Sequence, residues 1–149
     1  MSTSTKSLLK ISCLAAALVG VTLAGPLQAK GDLTIRPQAL PDLVLGSEVS
    51  DYAMSQKSYQ LETGQAYKLK IVSSGRKEYA IEAPEFFTSI FLRKVEAGGM
   101  EIKATTLVQL EFEDEGEAEL YFVPIKPGDY PFVSRGLEGK GMVGSFRVR

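Results

Sequence analysis

The most informative segment of the chain runs from residue 121 to residue 132 and reads Tyr121-Phe122-Val123-Pro124-Ile125-Lys126-Pro127-Gly128-Asp129-Tyr130-Pro131-Phe132. Its centre, Pro127-Gly128, is a strong turn signal, because proline presets one turn angle and glycine accepts backbone angles that other residues avoid. The residues around this turn predict a strand from Glu117 to Val123 and another from Tyr130 to Ser134. A last strand is predicted from Gly144 to Val148.

The chain before this turn also has the pattern of strands. From Tyr67 to Ile71 apolar residues alternate with lysines, which is the period of two expected when one face of a sheet is buried. Pro84 to Phe87 is predicted as one helical turn that starts with proline. Further strands are predicted around Tyr59 and Leu61, around Tyr79 and Ile81, and over Ile90 to Val95, Glu101 to Ala104 and Leu107 to Glu113. Short strands separated by turn residues predict an all-β fold, a Greek-key β-sandwich or a barrel of the same type.

The N-terminus has the features of a secretory signal peptide, residues 1–29. Lys6 and Lys10 make its start basic, Ile11 to Ala24 is largely apolar, and Leu27-Gln28-Ala29 places a small residue before the expected cleavage site. An uncleaved anchor is the alternative, although the apolar run is short for a membrane span of about 20 residues. We therefore expect a periplasmic or secreted protein without a membrane span after cleavage.

Cleavage after Ala29 would leave 120 residues, which suits one domain with its own core. We expect an N-terminal arm with edge strands over residues 30–57 and the β-sandwich over residues 58–149. The sequence has no histidine, and its one cysteine, Cys13, lies in the predicted signal, so a disulfide within the mature chain is excluded.

Charge and composition narrow the classes of function. Of the 17 Lys and Arg residues, Lys6 and Lys10 leave with the signal, so 15 remain against 18 Asp and Glu, a formal charge of −3. Nucleic acid is therefore not an expected partner, because its phosphates need a basic surface. We do not expect an enzyme, since the usual general base and soft nucleophile are both missing. A Ser134–Lys140 pair or a pair of carboxylates remains an open catalytic alternative.

Residues 121–132, together with Gly141-Met142-Val143-Gly144 and the final strand, resemble the C-terminal half of a cupredoxin, in particular the plastocyanin-like bacterial copper proteins. The resemblance covers roughly residues 58–149. In that family a histidine from the region of Lys77 to Ile81 holds a blue copper ion. The other ligands come from a C-terminal loop with the spacing Cys-x2-His-x4-Met.

By this resemblance the four ligand positions fall on Tyr79, Ser134, Leu137 and Met142, of which only Met142, the weak axial position, keeps a family ligand. A blue copper centre needs a thiolate and two imidazoles around the metal. The serine hydroxyl stays protonated, and leucine offers no lone pair. The resemblance therefore implies a cupredoxin-like fold that has largely lost its copper ligands, and we expect no cofactor.

Copper binding through other ligands is the alternative to this expectation. Met54, Met100 and Met142 together would suit Cu(I), which accepts thioethers, and carboxylates or the new N-terminal amine at Lys30 are further candidates. Met142 is otherwise an ordinary core residue that fills a gap. A periplasmic copper-binding or electron-transfer protein is thus the second function that the sequence allows.

Charged residues indicate two possible binding surfaces. Lys77, Arg135 and Lys140, with Lys126, are placed by the resemblance in or near loops at one end of the sandwich, where they could attract an anionic ligand or an acidic protein. The carboxylates between Glu111 and Glu119 could bind Ca²⁺ or a basic partner. We expect them instead to form a solvated face on a hairpin that turns at Gly116.

The place of the lost copper centre is expected to be filled by apolar groups. Tyr79, Phe86, Phe87 and Phe132 are the candidates, and their burial stabilises the fold by about 25 cal/mol per Å². A concave pocket lined by Tyr79, Ser134, Arg135 and Leu137 would instead indicate a ligand site. The function predicted from the sequence is that of an exported, copper-free cupredoxin-like domain, which serves as a binding or accessory module for another exported or periplasmic protein.

Overall fold

The computed structural model describes residues 36–149. The predicted signal peptide, its cleavage site and Lys30 therefore lie outside the described residues. The strands are β1 (Gln38–Ala39), β2 (Leu43–Ser47), β3 (Ser50–Met54), β4 (Ser58–Leu61), β5 (Tyr67–Ser74), β6 (Tyr79–Glu82), β7 (Ile90–Ala97), β8 (Met100–Ile102), β9 (Gln109–Phe112), β10 (Glu115–Pro124), β11 (Gly128–Ser134) and β12 (Val143–Val148). A one-turn helix, α1 (Pro84–Phe87), follows β6, and a short 3-10 turn (Glu138–Lys140) lies between β11 and β12. No helix among residues 36–149 is long and apolar enough to cross a membrane.

The strands form two mixed sheets. Sheet A has the order β3-β2-β5-β10-β7-β8, with β1 beside β5, and sheet B has the order β4-β12-β11-β6-β9. β1 and β2 run parallel to β5, and β4 runs parallel to β12. The chain passes repeatedly from one sheet to the other, which confirms the all-β, Greek-key sandwich predicted from the sequence.

The turn at Pro127-Gly128 joins the two sheets, because β10 belongs to sheet A and β11 to sheet B. The Tyr130 hydroxyl donates to the carbonyl oxygens of Lys126 at 2.9 Å and Pro127 at 3.3 Å. A Cβ atom on Gly128 would lie 2.8 Å from Cζ of Tyr130. Glycine is therefore required here so that the tyrosine ring can close over the corner.

Apolar residues of alternating strand positions fill the space between the sheets. β5 shows the strict alternation that its sequence predicts, with its four odd-numbered residues from Tyr67 to Ser73 buried. Aromatic rings make up the centre of this core: Phe86 of α1 stacks on Phe146 with ring centroids 4.0 Å apart, and Phe132 lies 4.8 Å from the same ring. Helix α1 thus closes the core between the sheets.

The segment before residue 58 is part of the sandwich rather than an arm beside it. β2 lies between β3 and β5 in sheet A, whereas the sequence predicts only edge strands here. Leu43 and Leu45 of β2 are both fully buried in the core. Three alternating residues are too short a pattern to distinguish an interior strand from an edge strand, so sequence periodicity could not show this position.

The acidic segment is not a hairpin, which corrects the expected turn at Gly116. β9 pairs with β6 in sheet B, and β10 pairs with β5 and β7 in sheet A, so the chain changes sheets at Glu113-Asp114. Gly116 is a strand residue opposite Ser73. Alternating carboxylates show that a segment is extended, but they do not show which sheet it joins.

Candidate functional site

The β11–β12 loop brings together the three C-terminal positions of the expected site. The Leu137 N–H donates to the Ser134 carbonyl at 2.9 Å, and the Ser134 N–H donates to the Met142 carbonyl at 2.9 Å. The Met142 N–H in turn donates to the Leu137 carbonyl at 3.3 Å. These three hydrogen bonds fold the loop back on itself at one end of the sandwich.

Tyr79 lies at the same end on the neighbouring strand. Its strand β6 pairs with β11 so that Ile81 is directly opposite Ser134. Because side chains alternate along a strand, Tyr79 and Ile81 point to one face, and Tyr79 is a diagonal neighbour of Ser134. The four positions predicted from the sequence therefore gather at one end of the fold.

The side chains at these positions are mostly enclosed. Tyr79, Ser134 and Met142 are fully buried, and Leu137 packs against the core while partly exposed. The Ser134 hydroxyl has no hydrogen-bond partner among residues 36–149. An unpaired buried hydroxyl destabilises a fold by about 1–3 kcal/mol. The position of the Ser134 side chain is therefore fixed by its backbone hydrogen bonds and by packing, and not by a hydrogen bond of its hydroxyl.

The Tyr79 hydroxyl crosses from sheet B to sheet A. It donates a hydrogen bond of 2.7 Å to the carbonyl oxygen of Asp51 in β3. Arg76, in the β5–β6 loop, also binds this residue, with its Nε 2.6 Å from Oδ1 of Asp51. Tyr79 thus acts as a strut that fixes the edge strand β3 to the core.

The donor set at the four positions does not fit a blue copper ion. It offers a phenol that is already hydrogen-bonded, a hydroxyl, a hydrocarbon and a thioether, whereas the centre needs a thiolate and two imidazoles. No other group of three or more His, Cys, Asp and Glu residues in the described part of the chain is placed to hold a metal ion.

The three methionines considered as Cu(I) ligands do not come together. Met54 lies in β3 and Met100 in β8, which are the two opposite edges of sheet A. Five inter-strand spacings of about 4.8 Å separate these edges. Met100 is 62% exposed, whereas Met142 is fully buried in the core. A shared thioether site is therefore not formed.

The aromatic cap expected over the four candidate ligand positions is not formed as predicted. Phe86 and Phe132 meet around Phe146 in the centre of the core, and Phe87 lies beside Phe86 with ring centroids 6.3 Å apart. Tyr79 forms no ring pair with another aromatic residue of the described range, because its side chain reaches toward β3 instead. The pattern of aromatic residues indicated burial correctly but not which residues share one cluster.

The predicted basic patch divides into two parts. The ammonium groups of Lys77 and Lys140 lie 5.7 and 5.4 Å from the centre of the Tyr52 ring. Arg135 instead points toward Glu82, with 3.6 Å between the charged atoms, and toward the side-chain oxygen of Gln109 at 3.4 Å. The two lysines therefore share one neighbour, and Arg135 belongs to a different surface.

The sequence does not single out Tyr52, the shared neighbour of the lysines, because a lone aromatic residue in the polar stretch 47–57 gives no periodic signal. The only feature of the sequence that could indicate Tyr52 is an aromatic residue in a predicted exposed segment. Such residues are also common on surfaces that bind nothing.

Lys126, the fourth residue of the predicted basic patch, lies before β11 begins, whereas Ser134 lies where β11 ends. Lys126 therefore belongs to the opposite end of the sandwich.

Several acidic residues on the outer face of sheet A are paired with lysines. Glu119 accepts from Lys68 at 2.7 Å, and Glu117 pairs with Lys70 at 2.5 Å. Glu101 pairs with Lys103 at 2.6 Å and with Lys94 at 3.0 Å, and these two contacts lower the pKa of its carboxyl to about 2. An open depression of about 420 Å³ lies beside these residues at the β7–β8 hairpin. The pairing indicates a neutralised surface rather than a cation site.

The fold of this chain is similar to parts of several known structures. No protein-family model and no curated protein matches this sequence. A multicopper oxidase from Campylobacter jejuni, a metallo-oxidase, is similar with a TM-score of 0.51 and 13% identity over 76% of this chain and 30% of its own. Copper nitrite reductase from Nitrosomonas europaea is similar with a TM-score of 0.50 and 13% identity, and the match covers 64% of this chain and 33% of the reductase chain. Another multicopper oxidase is similar with a TM-score of 0.54 and 12% identity, and the match covers 76% of this chain and 46% of the oxidase chain.

These similarities confirm the cupredoxin-like fold expected from residues 121–149. The chain spans less than half the length of each of the three copper enzymes. At 12–13% identity the likeness concerns the fold alone.

Proposed function

We propose that this cupredoxin-like domain is an exported protein without a blue copper centre, which serves as a binding or accessory module for another exported or periplasmic protein. The proposal rests on one observation: Tyr79, Ser134, Leu137 and Met142 gather at the end of the fold, and they offer neither a thiolate nor an imidazole. Without a redox metal this donor set has no group suited to one-electron transfer.

The side chains at these positions have roles in packing, which supports the proposal. Met142 fills the core, and Tyr79 holds β3 through the Asp51 carbonyl at 2.7 Å. A metal ligand must keep a lone pair directed at the ion, whereas the Tyr79 hydroxyl is directed at a backbone oxygen. The end of the sandwich is therefore better suited to presenting a surface than to holding an ion.

The copper chemistry of the similar structures does not transfer with the fold. Those proteins are named as copper enzymes, and this chain matches less than half of each. Catalysis depends on the residues of a site rather than on the scaffold. The chain has no histidine, and its one cysteine lies at position 13. We accordingly propose neither a cofactor nor an enzymatic activity.

Copper loading tests this proposal directly. The purified protein would be incubated with Cu(II), and separately with Cu(I) under reducing conditions, then desalted and examined for bound metal and visible absorption. We expect far less than one copper per chain and no intense visible band, because the thiolate that gives such a band is missing. Tight binding of one copper per chain would overturn the proposal. Met142→Leu and Met100→Leu variants would then show whether a thioether holds the ion.

A further inference from the structure

We propose that Tyr52, Lys77 and Lys140, here called the lysine–tyrosine site, form the surface that docks an acidic segment of the partner protein. This inference rests on the proposed function as a binding module and adds the place and the chemistry of binding. The two ammonium groups lie 5.7 and 5.4 Å from the centre of one ring, although they come from different loops.

The two lysines keep their positive charge available. Lys77 has its nearest carboxylate at 3.9 Å, on Asp51, and that carboxylate is already bound by Arg76 at 2.6 Å. Lys140 forms no ion pair with another residue of the described range. Most lysines on the outer face of sheet A are, by contrast, paired with glutamates at hydrogen-bond distance. The lysine–tyrosine site is therefore a basic spot on a chain with an excess of acidic residues.

The fold holds this site in place. Asp51, next to Tyr52 in β3, receives the Tyr79 hydroxyl on its carbonyl and Arg76 on its carboxylate. On the other side, Lys57 donates to the Gly141 carbonyl at 3.0 Å and so fixes the loop that carries Lys140. Preformed positions matter for affinity, because a partner then does not have to order these groups on binding.

The carboxylates of an acidic segment fit this arrangement. An ammonium group within about 6 Å of a ring is held there by the ring's electrostatics, and its remaining N–H groups can donate to an incoming anion. The two ammonium groups lie around one half-buried tyrosine, so the site combines positive charge with an apolar ring surface. Tyrosine is also enriched at the centres of protein interfaces. Since the rest of the protein is net acidic, charge complementarity orients an acidic segment onto this end and repels it elsewhere.

Isothermal titration calorimetry with an octaglutamate peptide at low ionic strength tests the inference. We expect saturable binding that weakens with added salt, because exposed charges are screened. Lys77→Glu and Lys140→Glu should each reduce the affinity by about tenfold or more, and Tyr52→Ala by severalfold. The matched control is Lys126→Glu, which makes the same charge change at the opposite end and should alter the affinity less than about twofold.

Further variants and controls exclude unfolding and unspecific charge effects as causes of a lower affinity. Circular dichroism would confirm that the variants are folded, and Lys77→Gln with Lys140→Gln would give the same loss without introducing new negative charges. Equal loss in Lys126→Glu, or no binding of octaglutamate to the unmodified protein, would overturn the inference. Free glutamate should bind far more weakly than the peptide, and equal affinity for both would contradict a docking role. Copper loading reports separately on the proposed function, so the two failures are distinguishable.

Discussion

At the level of single residues, Gly46 has an unusually demanding position. Its φ angle is +77°, in the left-handed region that favours glycine. A Cβ atom at this position would also overlap the Ser74 hydroxyl and the Tyr79 hydroxyl. Gly46 therefore leaves the space through which Tyr79 reaches β3, and the strut between the two sheets depends on a residue without a side chain.

A pair of glycine variants separates these two requirements. Gly99 has the same φ angle of +77°, yet nothing lies within 4 Å of a Cβ atom there. Gly99→Ala should lower the free energy of unfolding by about 1–2 kcal/mol through backbone strain alone. Gly46→Ala should lower it by about 1–3 kcal/mol more, because the methyl group displaces the Ser74 and Tyr79 hydroxyls. Urea unfolding measures both, and equal losses would show that these two close contacts contribute nothing.

At the level of secondary-structure elements, side chains on the outer face of sheet A join β10 to β7 and, through β7, to β8. The Tyr121 hydroxyl donates to Glu119 at 2.7 Å and to Glu96 of β7 at 3.2 Å. Lys94 of β7 lies 4.5 Å from the centre of the Tyr121 ring and also binds Glu101 of β8 at 3.0 Å. Burial, followed by the Glu119 contact, raises the pKa of Tyr121. The charged face thus links three strands.

This linkage predicts a dependence of stability on acid. Lys103 and Lys94 lower the pKa of Glu101 from 4.5 to about 2, so the folded state favours its ionised form. The resulting stabilisation is complete above about pH 4.5 and is lost as the pH falls toward 2. Glu101→Gln should therefore be less stable than the unmodified protein at about pH 6 but should lose less stability between about pH 6 and about pH 3.

Urea unfolding at the two pH values measures this difference. The control is Glu113→Gln, since Glu113 is exposed and forms no ion pair with any residue from 36 to 149. That variant should follow the unmodified protein. The effect of Glu101 should shrink in high salt, because its side chain is 46% exposed and its ion pairs are screened. An identical acid response in Glu101→Gln and the unmodified protein would contradict the prediction.

The elements show how far local sequence determines structure. α1 was predicted over Pro84 to Phe87 and has these bounds, because proline at its start and two buried phenylalanines give a local signal. β5 follows from strict alternation. β2 was misplaced as an edge strand and β9 as one arm of a hairpin, because partner strands come from distant parts of the chain. Periodicity shows that a segment is extended and which residues face inward, but it carries no information on its neighbours.

At the level of the whole molecule, the topology explains why the candidate site was partly predictable. The resemblance to cupredoxins implied Ser134, Leu137 and Met142 as positions of one loop, and the backbone hydrogen bonds between β11 and β12 bring them together because this loop is local in sequence. Tyr79 joined them through the pairing of β6 with β11. Tyr52 could not be foreseen, since it reaches Lys77 and Lys140 only through the Tyr79 strut and the position of β3 at a sheet edge.

If the fold brings the four positions to one point, introducing the ligands of a blue copper centre there should create a metal site. We expect the triple variant Tyr79→His, Ser134→Cys, Leu137→His, which keeps Met142, to bind one Cu(II) per chain with an intense visible band from its thiolate. It should also unfold more easily, by about 1 kcal/mol for the lost Tyr79 hydrogen bond and more for the lost ring packing. The double variant that keeps Ser134 is the control, because it supplies both imidazoles without the thiolate and should lack the band. A folded triple variant that binds no copper would show that the positions share an end of the sandwich without converging on a volume the size of an ion.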